Sequence, residues 1–155
     1  MQNRNKTIRH FRELEVYQKA FNAAMRIYEI TKSFPSEEKY SLTDQIRRSS
    51  RSVCSNIGEA WRKRKYNAVF KNKMTDAMPE ASETQTWLDF CLACKYIDNQ
   101  AYKEVDSVYE QVISMLNSIR WRKRLKVFVS QLHKFSIVAD TIIWQWVRGE
   151  RLGLE

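Results

Sequence analysis

Three cysteines and two histidines are the residues most able to bind a metal or to carry redox chemistry. Cys91 and Cys94 form a Cys-x-x-Cys pair, whereas Cys54, His10 and His133 lie far from it in the sequence. A structural zinc site needs four ligands, usually at recognisable spacing, and a thioredoxin-type motif needs a βαβ context. The sequence offers neither, so we expect three reduced, packed thiols, no metal site and no cofactor.

Carboxylates and glycines form no recognisable catalytic pattern either. Asp76, Glu80 and Glu83 share part of one predicted helix face, but the Glu-x-x-His motif of di-iron bundles is missing from the sequence. The chain has only three glycines, and neither G-x-G-x-x-G nor G-x-x-x-x-G-K-[ST] occurs. Because no nucleophile, base and orienting group stand at a known spacing, we expect a protein that is not an enzyme.

The most distinctive repeat is Trp-Arg-Lys-Arg, which occurs at residues 61–64 and again at 121–124. A cation at a helix C-terminus complements the helix dipole by about 0.3–1 kcal/mol, and one or two would serve that purpose. The two clusters contain more cations than that, and each lies beside a tryptophan that can stack on a base. They therefore favour a phosphate-binding surface. The alternative is that these charge runs are only solvated faces.

The charge of the whole chain supports a polyanionic partner. The sequence has 27 Lys and Arg against 18 Asp and Glu, a net charge of +9. Residues 1–66 carry 15 basic and 7 acidic side chains, residues 67–118 carry 4 and 8, and residues 119–155 carry 8 and 3. The excess is therefore concentrated in the two outer thirds of the chain.

Apolar residues recur every three or four positions over four stretches, which predicts an all-α protein. The first helix should span Glu13 to Thr31, and the second should begin at an N-cap on Ser36 and end near Trp61. The third should run from Phe70 towards Ile97, with a kink or a fresh start at Pro79, and the fourth from Tyr102 to Ile119. Short loops between them favour an up-down-up-down antiparallel four-helix bundle. We assign residues 1–124 to this domain and residues 125–155 to a C-terminal extension, read as a fifth helix or an irregular tail.

In that topology the start of the first helix, the end of the second, the start of the third and the end of the fourth share one end of the bundle. We call this end the basic pole, because cations gather at all four places. Its candidate nucleic-acid-binding residues are Arg9, Arg12, Arg62, Lys63, Arg64, Lys65, Lys71, Arg120, Arg122, Lys123 and Arg124. Trp61 and Trp121 are the candidates for base stacking. The opposite end is largely acidic, with Glu37, Glu38, Asp98, Glu104 and Asp106.

The first residues are basic without the apolar run of a signal peptide, and no apolar stretch reaches about 18 residues. These features predict a cytoplasmic protein without a membrane span. The apolar run from Phe135 to Val147 is too short to cross a bilayer, although it could dock a partner or an interface.

The sequence resembles the 23S rRNA-intervening sequence protein family, also called four helix bundle proteins. Its Gln45-Ile-Arg-Arg48 and Ser55-Asn-Ile-Gly-Glu-Ala60 segments are similar to the Gln-Ile-Arg-Arg and Ser-Asn-Ile-Ala-Glu-Gly signature of that family. Further similar stretches are Phe11–Ala20, Ile27–Pro35, Glu80–Phe90 and Tyr96–Ile97. The chain departs from the family at Cys54, where proline is usual, and at Pro79.

The resemblance implies a helical bundle that assembles into a ring-like homopentamer with a basic surface. A similar fold serves as the accessory variability determinant of diversity-generating retroelements, which binds nucleic acid and a reverse transcriptase. It therefore also implies an accessory role for an rRNA intervening sequence or a retroelement, with a reverse transcriptase as a further partner. We interpret the signature residues as structural, with buried Asn and Glu facing Arg of a neighbouring helix. These residues are Gln45, Arg47, Arg48, Asn56 and Glu59.

Two functions follow from the sequence. The first is an oligomeric protein that binds RNA or DNA backbone through the basic pole. The second is a protein-interaction scaffold that docks an acidic or membrane partner through its C-terminal tail. Trp87, Phe90 and Tyr17 lie partly off the core stripes, which favours a homo-oligomer.

Overall fold

The computed structural model describes residues 8–119, and these fold into four α-helices without a strand. The helices are α1 (Glu15–Ile30), α2 (Leu42–Arg62), α3 (Asn67–Ala93) and α4, which covers residues 99–119. Short 3-10 helices occupy Phe11–Glu13, Thr31–Ser33 and Ser36–Tyr40. The predicted all-α class is confirmed. The predicted fifth helix over residues 125–155 lies outside the described residues.

The core forms where the apolar faces of all four helices meet. Its largest fully buried side chains come from every helix and include Ile27, Ile46, Leu88 and Tyr109. Burying an aliphatic side chain of this size contributes about 1.5–3 kcal/mol, so the periodic apolar faces account for the fold. The Tyr109 hydroxyl is near those of Ser50 and Thr84 but makes no hydrogen bond of normal geometry in the described residues. Burial raises the pKa of this phenol, which therefore stays neutral.

Side-chain contacts give the directions of the helices. Phe11, just before α1, lies beside Gly58 near the end of α2, and Thr31, just after α1, lies beside Arg47 near the start of α2. The two helices are therefore antiparallel. In the same way, Ser49 contacts Thr84 and Glu59 contacts Lys73, which makes α2 and α3 antiparallel. Between α3 and α4, the Gln85 amide donates to Asp106 and the Tyr102 hydroxyl donates to Asp89, at 2.8 Å each. Between α4 and α1, Lys19 donates to Gln111 and Arg26 donates to Glu104. These two helices are therefore antiparallel as well.

Pro79 does not interrupt the third helix. α3 is continuous from Asn67 to Ala93, so the expectation of a fresh start at Pro79 was wrong. Pro79 is exposed, and it removes one backbone hydrogen bond from the helix. The packing of α3 on both sides of the proline outweighs the one lost hydrogen bond.

The predicted start of the second helix also needs correction. Ser36 begins a separate 3-10 turn, and α2 starts only at Leu42. The capping group is instead Glu38, whose Oε2 accepts the Leu42 N–H at 3.3 Å and the Ser41 hydroxyl. Its Oε1 accepts the Tyr96 hydroxyl at 3.1 Å, which links this turn to the chain between α3 and α4. A carboxylate near a helix N-terminus is favourable because the unpaired amides there carry partial positive charge.

Arg47 holds the C-terminus of α1. Its Nε donates to Thr31 Oγ1 at 2.7 Å, and its guanidinium lies 4.9 Å from the centroid of the Tyr28 ring. Thr31 in turn donates to the Ile27 carbonyl at 2.7 Å. The half-buried arginine thus stabilises the negative end of a helix dipole and packs on an aromatic face.

The other signature residues also lie on α2. Arg48 donates to Gln45 within α2, at 2.9 Å, and Asn56 is half-buried. Glu59 is not buried against an arginine as expected: its side chain is 51% exposed and pairs with Lys73 at 3.2 Å. The physical reason is its position near the outer end of α2, where α3 offers a lysine.

Replacing Arg47 tests its role in joining α1 to α2. Arg47→Met should lower the free energy of unfolding by about 1.5–3 kcal/mol, the range for hydrogen bonds made by charged groups. Arg48→Met is the control, since Arg48 is exposed and should change stability by less than about 0.5 kcal/mol. Urea unfolding followed by circular dichroism measures both, and equal effects of the two variants would contradict the assigned role.

The carboxylate of Glu38 gives stability a dependence on pH. Hydrogen bonds from Ser41 and Leu42 favour the charged form and lower the pKa of Glu38 below its ordinary 4.5. Its contribution is therefore present at neutral pH and is lost as the pH falls through the lowered value. We expect Glu38→Gln to lower the melting temperature at neutral pH, with a gap that narrows below pH 4.5. Glu37→Gln removes the same charge and serves as control. A gap that is independent of pH would refute this cap.

Candidate nucleic-acid interface

Three of the four predicted basic segments meet at one end of the described bundle. The 3-10 turn Phe11–Glu13 packs on the last turns of α2, where the Phe11 ring is 3.7 Å from the position of a Cβ on Gly58. Lys73 near the start of α3 bonds Glu59 near the end of α2. Arg9, Arg12 and the Arg62–Lys65 cluster therefore share one end with the start of α3. α4 approaches this end, but Arg120, Trp121, Arg122, Lys123 and Arg124 lie outside the described residues.

The two ends of the described bundle differ in charge. Residues 8–13 and 59–73, at the basic pole, carry eight Lys and Arg against two Asp and Glu. Residues 29–45 and 89–104, at the other end, carry four against seven. A difference of this size creates a positive potential at one end, which attracts polyanions.

Several cations of the basic pole are available to a ligand. Arg62, Lys63 and Lys65 are exposed, and no carboxylate of the described residues lies within ion-pair distance of them. Arg9 is exposed, and its backbone N–H is 3.5 Å from a Glu13 carboxylate oxygen. The Arg12 guanidinium lies 4.8 Å from the centroid of the Phe11 ring, where it remains exposed.

The remaining cations are already engaged. Arg64 donates to the Trp61 carbonyl at 3.0 Å, and its guanidinium lies 4.4 Å from the centroid of the Trp61 ring. A base could stack on this face of Trp61 only after displacing Arg64. Lys73 pairs with both Glu59 and Asp76, and the hydrogen bond to Glu59 raises its pKa. Lys71 is half-buried and has interactions of its own.

An aromatic row that sequence reasoning missed enters the basic pole along α1. The rings of His10 and Phe11 are 4.3 Å apart, those of Phe11 and Tyr17 are 4.9 Å apart, and those of Tyr17 and Phe21 are 6.1 Å apart. An open groove of about 340 Å³ lies beside this row, between the start of α1 and the end of α2. It is lined by Phe11, Tyr17, Cys54, Ser55, Gly58, Glu59 and Arg62. The spacing of Tyr17 and Phe21 in the sequence places them on neighbouring turns of one helix. The sequence does not show the 3-10 turn that brings Phe11 against Tyr17.

The cysteines do not form a reactive site. Cys91 is buried, and no disulfide joins the three cysteines. The expectation of three packed thiols was wrong for Cys94, which is exposed because it follows the last residue of α3. Burial raises the pKa of Cys54 to about 11 and that of Cys91 to about 12, so both thiols are protonated at neutral pH. Between residues 8 and 119, no group of three His, Cys, Asp or Glu side chains could hold a metal ion.

Two of the three candidate carboxylates of α3 have partners. Asp76 lies 3.5 Å from Lys73, and Glu83 accepts the indole N–H of Trp87 at 3.1 Å.

Within the described part of the chain, each helix is too short or too polar to cross a membrane.

Comparisons with known proteins place this bundle in a family. A crystal structure of a protein with unknown function from the S23 ribosomal protein family of Bacteroides thetaiotaomicron VPI-5482 superposes with a TM-score of 0.61 at 32% sequence identity. The match covers 68% of this chain and 97% of that chain. No curated protein matches the chain. The family model described as 23S rRNA-intervening sequence protein matches residues 12–118, and the chain belongs to that family.

Proposed function

We propose that this protein is a non-enzymatic, oligomeric helical bundle that binds the backbone of RNA or DNA through its basic pole. The observation that carries the proposal is the group of exposed cations Arg62, Lys63 and Lys65, which lack carboxylate partners in the described residues. Arg9 and Arg12 stand beside them on the preceding turn. Cations that are not neutralised within the protein are available to replace the counterions of a polyanion.

The chemistry of the pole favours phosphates over bases as the main source of affinity. Lys and Arg contact phosphate oxygens whatever the sequence, so binding should be strong at low salt and weakly selective. The name of the family refers to 23S rRNA, which supports RNA as the ligand and an accessory role for an rRNA intervening sequence or a related retroelement. Neither the family description nor that of the similar structure names a reaction, and the described thiols and carboxylates suit packing better than catalysis.

Salt dependence tests the basic pole directly. A triple variant, Arg62→Gln, Lys63→Gln and Lys65→Gln, should weaken RNA binding and flatten the slope of log affinity against log salt. Each lost phosphate contact removes about 0.9 from the slope on duplex DNA and about 0.7 on single strands, so the change should be about two to three. Fluorescence anisotropy with a labelled oligonucleotide between about 50 and 200 mM salt measures it.

The acidic end provides a control of equal charge. Lys39→Gln, Lys95→Gln and Lys103→Gln remove three exposed cations from that end. This variant should keep the slope of the wild-type protein. Equal losses in both triple variants would mean that net charge, and not the pole, attracts the nucleic acid. Wild-type protein that shows no salt-dependent binding would refute the proposal.

Exposed apolar side chains on α3 support self-association. Phe90 is 52% exposed, and its ring lies 5.8 Å from that of the half-buried Trp87. The family resemblance suggests five copies, so light scattering should give a mass near five times 18.6 kDa. Phe90→Ala should shift that mass downward, whereas Tyr40→Ala, which truncates a still more exposed ring, should not. A wild-type monomer at micromolar concentration would contradict this part of the proposal.

A further inference from the structure

From the aromatic row His10–Phe11–Tyr17–Phe21 and the groove beside it, we infer a binding site for the unpaired bases of a single-stranded nucleic acid. This inference rests on the proposed function, because the basic pole would supply the phosphate contacts. It adds a second kind of contact, base stacking, and so names the class of nucleic acid that the protein prefers.

The rings lie at the surface and not in the core, and Tyr17 and Phe21 are nearly parallel, at 18°. Phe21 is 46% exposed, and the other three rings are partly exposed, whereas the core aromatic Tyr109 is fully buried. Successive ring centroids are separated by 4.3, 4.9 and 6.1 Å, so the row is continuous from the basic pole to the second turn of α1. The Tyr17 phenol is uncharged at neutral pH, and burial raises its pKa further above the ordinary 10.0. Aromatic rows of this kind bind single strands because every base has a face that can stack.

The wall formed by α2 is suited to a phosphate backbone. Arg51, Ser55, Gly58 and Arg62 follow one another at helical spacing on one face, and the last three line the groove. Arg51 is exposed and has no carboxylate partner in the described residues. Glu59 is the carboxylate among the lining residues, and Lys73 offsets its charge at 3.2 Å. Arg51 and Arg62 therefore stand on the α2 side of the row. Arg12 lies over one face of Phe11, 4.8 Å from its centroid, so a base would stack more readily on Tyr17 and Phe21.

Gly58 keeps the groove open. A Cβ at this position would lie 3.7–3.9 Å from atoms of the Phe11 ring, which is ordinary contact, so alanine fits here without strain. A larger side chain would extend into the space between Phe11 and Tyr17. The volume of about 340 Å³ is at the lower end of the roughly 300–1,000 Å³ of small-molecule pockets, which suits a nucleobase better than a large ligand.

A duplex cannot use this site, because its bases are paired and stacked on one another. Single strands and loops can turn their bases outward and stack them on aromatic side chains. The groove should thus discriminate between single-stranded and double-stranded ligands, whereas the basic pole attracts both.

The test is to close the groove without changing charge. Gly58→Leu should weaken binding of a short single-stranded RNA by about five- to 140-fold, which corresponds to the roughly 1–3 kcal/mol of one base stack. Affinity for an RNA duplex of equal length and the slope with salt should stay unchanged. Gly58→Ala is the matched control, and it should bind as the wild-type protein does. Phe21→Ala should also weaken single-strand binding, whereas Tyr40→Ala at the other end of the bundle should not.

The outcomes separate this inference from the proposed function. If wild-type protein binds both ligands with steep salt dependence and Gly58→Leu binds single strands equally well, the groove is not a base site although the basic pole stands. If Gly58→Leu reduces affinity for both ligands alike, the substitution acts through the fold and the inference fails. If it alters the mass measured by light scattering and leaves binding intact, the groove is covered by a second copy of the chain. Loss of binding to single strands alone supports the inference.

Discussion

The structure depends on the close packing of α2 against α3 through small side chains. Ala60, Ala77 and Ala81 are fully buried, and the Thr84 hydroxyl donates to Ser49 at 2.9 Å inside the core. Small residues let the two backbones approach, and the hydrogen bond between the two hydroxyls favours one register of α2 against α3. The same register brings Glu59 beside Lys73. The composition of the basic pole is therefore a consequence of how the core is packed.

Gathering positive charge at one end has an energetic cost that the structure reduces in three ways. The Arg62–Lys65 cluster follows the C-terminus of α2, where the helix dipole favours cations, and Arg64 binds a carbonyl of the last turn. Lys73 is neutralised by Glu59 and Asp76. Arg12 lies over an aromatic ring. Arg62, Lys63 and Lys65 remain without a carboxylate partner in the described residues, so they are the cations most available to an anion.

Residue patterns were sufficient to predict the helices but not their ends. The apolar faces of α1, α2 and α3 gave the right class of fold because burial of these faces dominates the free energy of folding. Ser36 failed as a predicted cap because Glu38 reaches both Ser41 and Leu42, a contact between a turn and a helix that no local propensity encodes. Pro79 failed as a helix break because tertiary packing of α3 outweighs the local loss.

The sequence was enough to predict where the cations of the candidate site lie, but not how the aromatic rings there pack. Helix directions and charge runs were enough to place cations at one end, since both follow from sequence order. The position of Arg64 over Trp61 and of Phe11 beside Gly58 depends on side-chain packing across a turn, which spacing cannot show. Arg64 thus covers one face of Trp61, and Arg12 covers one face of Phe11. Phe21 is 46% exposed, although its spacing predicted an ordinary core position. In the function proposed above, the basic pole lies next to the proposed stacking groove. The pole would raise the local concentration of any polyanion, and the groove would distinguish single strands from duplexes.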